Sequence, residues 1–301
     1  TIEVRDRRRL RALRERAAAW LEGSGQVEAA VRLYFEAGLP RRAAAVAEAA
    51  SWPMRRAGRF ATLEEWTERC VRADCRTPWL VFEFASACGD HGLFDRGVQL
   101  FDQHLLTPKA NLPSRIRLRA STSKGMLLYE SGRRKEARAA LEQAKALMTR
   151  RVDGRDRAEV LRLEAKMLAA DRKWDQAESL VNRALALLES AGDRDNLAFA
   201  LIDLSQYQFA RGDHAGVVRS TSRCLPILGT HGSPSPLGVA YNNLAGARHL
   251  LGEFDRALEA FSAALRNARL GKAEYLEAMV LLGEADLFSD LGLAFQAGEL
   301  Y

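Results

Sequence analysis

The sequence predicts an all-α fold, a right-handed α-solenoid of stacked helix hairpins with a 40-residue repeat. Glycines recur at 40-residue intervals where tight turns are expected, and small residues recur at fixed distances on either side of them. Composition agrees, since Ala, the strongest helix former, is abundant and no segment sustains the apolar–polar alternation of a β-strand.

The turn glycines define the register of the repeat. They are Gly92, Gly132, Gly212, Gly252 and Gly292. Their spacing is 40 residues with one gap of 80, and Arg172 stands where the missing glycine belongs. The segment DRKWDQAESL around Arg172 aligns without a gap to LGEFDRALEA, so the repeat continues through this position. Glycine is expected at such turns because it readily adopts the backbone conformation that ends a helix.

Two columns of small residues flank the turns. Seven residues before each turn stand Ala85, Gly125, Ala165, Ser205, Ala245 and Ala285. Five residues after each turn stand Gly97, Ala137, Ala177, Val217, Ala257 and Ala297. Nine residues after each turn stand the mostly large apolar Phe101, Leu141, Val181, Thr221, Phe261 and Tyr301. Antiparallel helices approach closely only where a small residue stands at the crossing, so each column predicts a helix–helix contact.

Helix-breaking segments separate the hairpins. They fall at 107–113, 151–156, 191–195, 229–238 and 270–273. Each 40-residue unit therefore reads as helix, turn, helix and break, and neighbouring units must stack because one hairpin cannot bury its apolar face alone.

The segment 1–76 follows the same plan less regularly. Gly25, Gly38 and Gly58 are predicted turn residues, and their closer spacing indicates shorter helices. The crossing positions there are predicted at Ala18, Ala30 and Ala43. We therefore predict short, irregular hairpins over 1–76 and about six 40-residue repeats over 77–301, the last one truncated.

One segment resembles a known repeat family. The small–large pattern around the turn in YNNLAGARHLLGEFDRALEAFSAALRNAR resembles the tetratricopeptide (TPR) repeat. The repeat unit of this chain is longer than the unit of about 34 residues usual in that family, which implies longer helices.

The N-terminal third narrows the resemblance. The segment RRRLRALRERAAAWLEGSGQVEAAVRLYFEAGLPRRAAAVAEAA is similar to the start of the superhelical, TPR-like sensor domain of MalT-like regulators. These are transcriptional regulators of the LuxR-type large ATP-binding class, within the STAND proteins. GRFATLEEWTERC and the segment PWLVFEFASACGDHGLFDRGVQLFD continue the resemblance, which covers nearly the whole chain.

The resemblance implies a sensing role within a longer protein. In that family an NTPase module and a winged helix precede the superhelix, and a helix-turn-helix often follows it. The superhelix receives the effector, so we expect a small molecule, a peptide or a protein to bind in its concave groove. A stand-alone TPR scaffold that binds peptides or proteins is the alternative. We expect the gene product to extend in both directions, and the surrounding reading frame would separate these hypotheses.

Charge and targeting features favour a cytoplasmic chain without membrane contact. The first twenty residues lack the apolar core of a signal peptide, and no apolar run reaches transmembrane length. The net charge is +6, but acidic residues are interspersed with the Arg residues throughout. Because Arg is not clustered on one helix face and no recognition motif is present, no direct nucleic-acid binding is expected from this segment.

The sequence lacks the common catalytic motifs, which indicates that the chain is not an enzyme. It contains no G-x-x-x-x-G-K-[ST] phosphate loop, no G-x-S-x-G elbow and no H-E-x-x-H helix. The four cysteines, Cys70, Cys75, Cys88 and Cys224, form no common zinc-ligand pattern, and burial at helix crossings is the favoured interpretation. No histidine has a carboxylate at a spacing that suggests a relay. We expect no catalytic residues, no metal and no cofactor.

The predicted binding surface is the concave side lined by the first helix of each hairpin. Residues thirteen, ten, six and three before each turn share one face of that helix. Aromatic side chains there alternate with cationic and amide groups, which suits stacking and hydrogen bonding to a ligand. The candidate ligand or partner residues are Phe82, Arg119, Tyr129, Arg162, Lys166, Gln206, Phe209, Asn242 and His249. The alternative for each is packing against the neighbouring repeat.

Overall fold

A computed structural model describes residues 2–229, 234–271 and 273–300, with side chains from residue 7 onward. The described residues form helices joined by short connections, and no β-strand occurs among them. The prediction of an all-α solenoid of helix hairpins is confirmed. The chain divides into two compact units, Thr1–Ala120 and Ser121–Tyr301.

The first unit consists of short and uneven helices. They are α1 (Ile2–Gly23), α2 (Val27–Glu36), α3 (Pro40–Arg56), α4 (Phe60–Arg72), α5 (Pro78–Asp90), α6 (Phe94–Leu100) and the start of α7 (Ser114–Glu130). A π-helical turn, Phe101–Leu105, continues α6 directly and is followed by a 3-10 turn, Pro108–Ala110. The predicted change of repeat style at residues 76 and 77 lies between α4 and α5 and stays a prediction.

The core of the first unit forms around small crossing residues. Ala18, Ala30 and Ala43 are fully buried, as the sequence predicted for crossing positions. Tyr34 is buried beside them, and its hydroxyl donates a hydrogen bond to Glu22 Oε2 at 2.7 Å. This bond satisfies a polar group that would otherwise be costly to bury.

The second unit is a regular stack of hairpins. After the end of α7 it contains α8 (Arg134–Ala146), α9 (Gly154–Ala170), α10 (Trp174–Ser190), α11 (Arg194–Ala210), α12 (His214–Gly229), α13 (Pro234–Leu250), α14 (Phe254–Leu270), α15 (Glu274–Asp290) and α16 (Ala294–Leu300). Successive first helices begin at residues 154, 194, 234 and 274, which reproduces the predicted period of 40. Part of the predicted break at 229–238, with His231, and Tyr301 lie outside the described residues.

Burial confirms the two small-residue columns. All six residues seven before a turn and all six residues five after a turn are buried. Gly125 shows why the column is small: an added Cβ would collide with the Leu163 side chain on α9. The described members of the large column are likewise buried, including Phe101 in the first unit and Phe261 in the second.

The turns share one backbone conformation whether or not glycine is present. Gly132, Gly212, Gly252 and Gly292 have φ between 74° and 78°, in the left-handed region. Arg172 occupies the equivalent place with φ 59°, so the turn is kept without glycine. A side chain in this conformation brings Cβ close to the following carbonyl oxygen, which costs about 1–2 kcal/mol.

We expect Arg172→Gly to raise the free energy of unfolding by about 1 kcal/mol, because it removes this steric cost. Urea denaturation followed by circular dichroism measures the change. Lys173→Gly is the control, since Lys173 has φ −89° and gains nothing from glycine. A loss of stability in Arg172→Gly equal to that of Lys173→Gly would contradict this account of the turn.

The cysteines are structural in character. Cys70, Cys88 and Cys224 are buried, as predicted, while Cys75 is half-buried. Burial raises the thiol pKa to about 11 for Cys70 and Cys88 and to about 12 for Cys224. These thiols therefore stay protonated, and a protonated thiol is a poor nucleophile and a poor metal ligand.

Among the residues that the structure describes, no group of three or more His, Cys, Asp or Glu is placed to hold a metal ion. None of the helices in the described ranges is long and apolar enough to cross a bilayer.

Candidate ligand-binding groove

The first unit brings two candidate residues together. The Arg119 guanidinium carbon lies 5.0 Å from the centroid of the Phe82 ring and 5.2 Å from that of Trp79. Phe82 is only 3% exposed and also packs edge-on against Phe101. The group is a cation–π arrangement that stabilises the packing of α5 against the start of α7.

Two candidates in the second unit, Arg162 and Lys166, form an ionic cluster with Asp203, Glu130 and Glu159. Arg162 Nε donates to Asp203 Oδ2 at 2.8 Å, and Lys166 Nζ lies 3.0 Å from Asp203 Oδ1. Lys166 Nζ is also 3.1 Å from Glu130 Oε1, and Arg162 Nη1 is 3.0 Å from Glu159. The cluster joins three consecutive first helices, α7, α9 and α11.

The centre of the ionic cluster is shielded from water. Arg162, Lys166 and Asp203 are 7%, 9% and 3% exposed. Burial alone would raise the pKa of Asp203, but the two neighbouring cations outweigh it and lower that pKa. Burial likewise opposes the charge on Lys166, yet Asp203 and Glu130 raise its pKa. All three side chains are therefore charged, and the two cations are neutralised by Asp203 together with Glu130 and Glu159.

The ionic cluster limits what Arg162 and Lys166 can offer a ligand. Both cations direct their donors to carboxylates: Lys166 to Asp203 and Glu130 on neighbouring first helices, and Arg162 to Asp203 on α11 and Glu159 on its own helix. The hydroxyl of Tyr207, buried nearby on α11, has no hydrogen-bond partner among the described residues. The sequence-based assignment of Arg162 and Lys166 to ligand contact stays a prediction, and contact would require exchange of the Asp203 carboxylate.

Three candidates, Phe209, Asn242 and His249, line a cavity in the C-terminal part of the second unit. This space, the α13 cavity, has a volume of about 570 Å³ and lies between α11, α13 and α15. Pockets that hold small ligands commonly measure about 300–1,000 Å³. Its lining comprises Phe209, Asn242, Asn243, Gly246, His249, Leu250, Phe261, Met279, Leu282, Gly283, Asp286, Ser289 and Asp290.

The walls of the α13 cavity are largely apolar and partly exposed. Met279 and Leu282 on α15 are 43% and 53% exposed, and Phe209 on α11 is 38% exposed. Phe261 is buried and lines the cavity from α14. Apolar side chains exposed side by side in a concave surface are typical of a binding site.

Polar side chains also line the α13 cavity, and two of them are held by hydrogen bonds. His249 Nε2 lies 2.9 Å from Asp290 Oδ2, and Asn243 donates to Ser205 Oγ at 3.0 Å. The neighbouring Asn242 amide has no hydrogen-bond partner among the described residues. An amide group carries both donors and an acceptor, so Asn242 can bind a peptide group or a polar ligand.

Two glycines in helix interiors shape the α13 cavity. A Cβ on Gly283 would lie 2.8 Å from Phe261 Cε1, and a Cβ on Gly246 would lie 3.1 Å from Phe209 Cε2. Each glycine lets an aromatic ring lie against the backbone of the adjacent first helix. Glycine in a helix interior costs about 1 kcal/mol relative to alanine, so this close approach offsets a local cost.

The remaining candidates lie in different parts of the second unit. Phe209, Asn242 and His249 line the α13 cavity, and Tyr129 lies beside Lys166, with 5.3 Å between Nζ and the ring centroid. Gln206 is exposed on α11 but is not part of the cavity lining. Contact of each of these residues with a ligand stays a prediction.

Sequence reasoning missed several partners. It found no carboxylate at a relay spacing from any histidine, yet Asp290, 41 residues after His249, contacts it. It also missed Asp203, although a single acidic residue within the apolar run LAFALIDLSQ was a usable signal. Met279 and Leu282 were missed because their exposure depends on how α15 packs.

Hairpins of two antiparallel helices, joined by left-handed turns and stacked through small residues, define a TPR-like repeat fold. No protein-family model matches the sequence, and no curated protein matches it either.

Solved structures confirm the fold. A Rap protein in complex with competence and sporulation factor matches with a TM-score of 0.64 at 13% identity, over 97% of this chain and 95% of that one. A tetratricopeptide repeat protein from Parabacteroides merdae matches with a TM-score of 0.59 at 14% identity, over 91% and 99% of the two chains.

A STAND protein from Pyrococcus horikoshii with a tetratricopeptide repeat sensor matches with a TM-score of 0.61 at 13% identity. The match covers 92% of this chain and 43% of that protein, so the chain spans less than half of its length. The neighbours therefore share a TPR-like repeat architecture with this chain.

Proposed function

We propose that this chain is an interaction domain that binds a segment of a peptide or protein partner in the α13 cavity. The observation that carries the proposal is the cavity itself, at the junction of three first helices, with exposed apolar walls and the Asn242 amide, which has no hydrogen-bond partner within the described ranges. The Rap protein with a similar fold was crystallised with its factor bound, which supports the same use of this architecture.

Selection from a phage-displayed library of random twelve-residue peptides tests this function. We expect peptides that bind the purified chain and lose at least about tenfold in affinity for Met279→Ser/Leu282→Ser, since tenfold equals about 1.4 kcal/mol and each variant removes apolar contact area. Fluorescence anisotropy with synthetic peptides measures the affinity. Both residues are about half exposed, so folding should be retained.

The matched control is Leu251→Ser/Leu270→Ser, two exposed leucines outside the cavity lining. Selected peptides should bind this control like the unaltered chain. Failure to select any peptide, or equal losses in the two double variants, would show that the α13 cavity is not the binding site.

We further propose that the domain is the sensor of a MalT-like transcriptional regulator, in which the bound partner or a small effector controls an NTPase. The similarity of the N-terminal third to that family supports this context, as does the fold of the STAND protein with a TPR sensor. The reading frame around this segment tests it: a phosphate-loop NTPase encoded upstream is expected. A start codon directly before Thr1 and a stop codon after Tyr301 would instead leave a stand-alone scaffold.

A further inference from the structure

We propose that the α13 cavity selects a basic segment of its partner, in which a Lys or Arg side chain stands next to an apolar one. The inference rests on the proposed binding function and adds the chemistry of the ligand. It starts from the charges that line the cavity.

The lining of the α13 cavity is acidic in a basic protein. The net charge of the chain is +6, yet the residues that line this cavity include Asp286 and Asp290 and neither Lys nor Arg. Both carboxylates belong to exposed residues of α15. A cationic group is therefore attracted to this place.

One carboxylate oxygen is already oriented. Asp290 Oδ2 is held by His249 Nε2 at 2.9 Å, and Oδ1 has no partner among the described residues. The contact fixes the carboxylate at the edge of the cavity, so less side-chain freedom is lost when a ligand binds. An ammonium or guanidinium group can donate to Oδ1 without disturbing His249.

The apolar walls suit the rest of a basic side chain and its neighbour. The stem of Lys or Arg is aliphatic, and the partly exposed ring of Phe209 can pack against it or against the cationic head. Met279 and Leu282 offer a second apolar surface on α15 for an adjacent side chain. Asn242 can then bind the peptide group between the two side chains.

The same features disfavour a simple polyamine. Such a molecule would satisfy the carboxylates, but it has neither an apolar side chain for Met279 and Leu282 nor a peptide group for Asn242. The chemistry of the whole cavity therefore fits a peptide segment better than a small cation.

The test is to sequence the phage pools selected on the unaltered chain and on Asp286→Asn/Asp290→Asn. We expect Lys and Arg next to an apolar residue to be enriched at least about threefold over the unselected library with the unaltered chain. With the double variant, that enrichment should be lost. Glu259→Gln/Glu299→Gln removes the same charge from exposed positions outside the lining and should keep it.

The outcomes separate the two proposals. Peptides that depend on Met279 and Leu282 but lack basic residues would overturn the charge selectivity and leave the binding function intact. Absence of any selected peptide would overturn the binding function itself. If spermidine displaced the peptides at a concentration equal to the dissociation constant of the peptides, the assignment to a peptide segment would be overturned.

Discussion

Replacing Asp203 with alanine is expected to lower the free energy of unfolding by about 3–5 kcal/mol, because it leaves two buried cations without their shared carboxylate. Arg162 and Lys166 are each within 3.0 Å of Asp203 and are 7% and 9% exposed. Water cannot easily replace the lost carboxylate at these sites. Urea denaturation monitored by circular dichroism measures the loss.

A control shows whether burial causes the effect. Asp175→Ala removes a carboxylate that pairs with Arg211 at 3.2 Å but has an 86% exposed side chain. Its free energy of unfolding should match that of the unaltered chain within error, because exposed pairs are screened by solvent. Equal losses in Asp175→Ala and Asp203→Ala would contradict the special status of the ionic cluster.

The same cluster predicts the direction of a pH dependence. The pKa of Asp203 in the folded chain lies below its ordinary value of 3.8, so its contribution to stability is present above that value. The contribution is lost as the pH falls through the lower, folded-state pKa. The stability difference between the unaltered chain and Asp203→Asn should therefore be constant from about pH 5 to pH 8 and shrink only below about pH 4.

Replacing Phe261 with alanine is expected to cost about 3–5 kcal/mol in the free energy of unfolding, since its buried ring fills the space beside α15. Phe261 is 2% exposed, and its ring lies against the backbone of Gly283. Phe295→Ala, at a 75% exposed position of α16, should change stability little. Thermal and urea denaturation of both variants measure the difference.

Substitution of Gly283 tests the contact between its backbone and the Phe261 ring. Gly283→Ala should destabilise the unaltered chain, because its Cβ would lie 2.8 Å from the Phe261 ring. In the Phe261→Ala background the clash is gone, and alanine should stabilise the helix by about 1 kcal/mol relative to glycine. A double-mutant cycle measures the coupling. The same sign for Gly283→Ala in both backgrounds would show that Phe261 is not what requires glycine there.

The repeat was predictable from the sequence because its signals are local. A helix crossing needs a small residue at one defined distance from the turn, and six such residues recur at that distance. Even Arg172 could be placed, since the flanking residues keep the register where glycine is absent. The fold and the turns of the second unit follow from these columns.

The ionic cluster and the α13 cavity depend on contacts between repeats, which a single repeat does not specify. Arg162 and Asp203 contact each other across successive repeats at a separation of 41 residues, and so do His249 and Asp290. This separation, one residue longer than the repeat, follows from how consecutive first helices pack against each other. Without knowledge of this packing, a side chain that faces a ligand cannot be distinguished from one that faces the next helix. From the sequence alone, Arg162 and Lys166 are therefore predicted to face a ligand, whereas the structure shows that both contact Asp203.

The first helices of the second unit begin every 40 residues, and this regular spacing determines which insertions and deletions the chain tolerates. Because α9, α11, α13 and α15 begin at equal intervals, losing or duplicating one whole repeat returns the chain to the same point in the hairpin. One residue inserted within a helix would turn the rest of that helix by about 100° relative to its packing face. Descendants of this sequence can therefore gain or lose whole modules while each retained hairpin keeps its packing face, whereas shorter changes in helix interiors are expected to be eliminated.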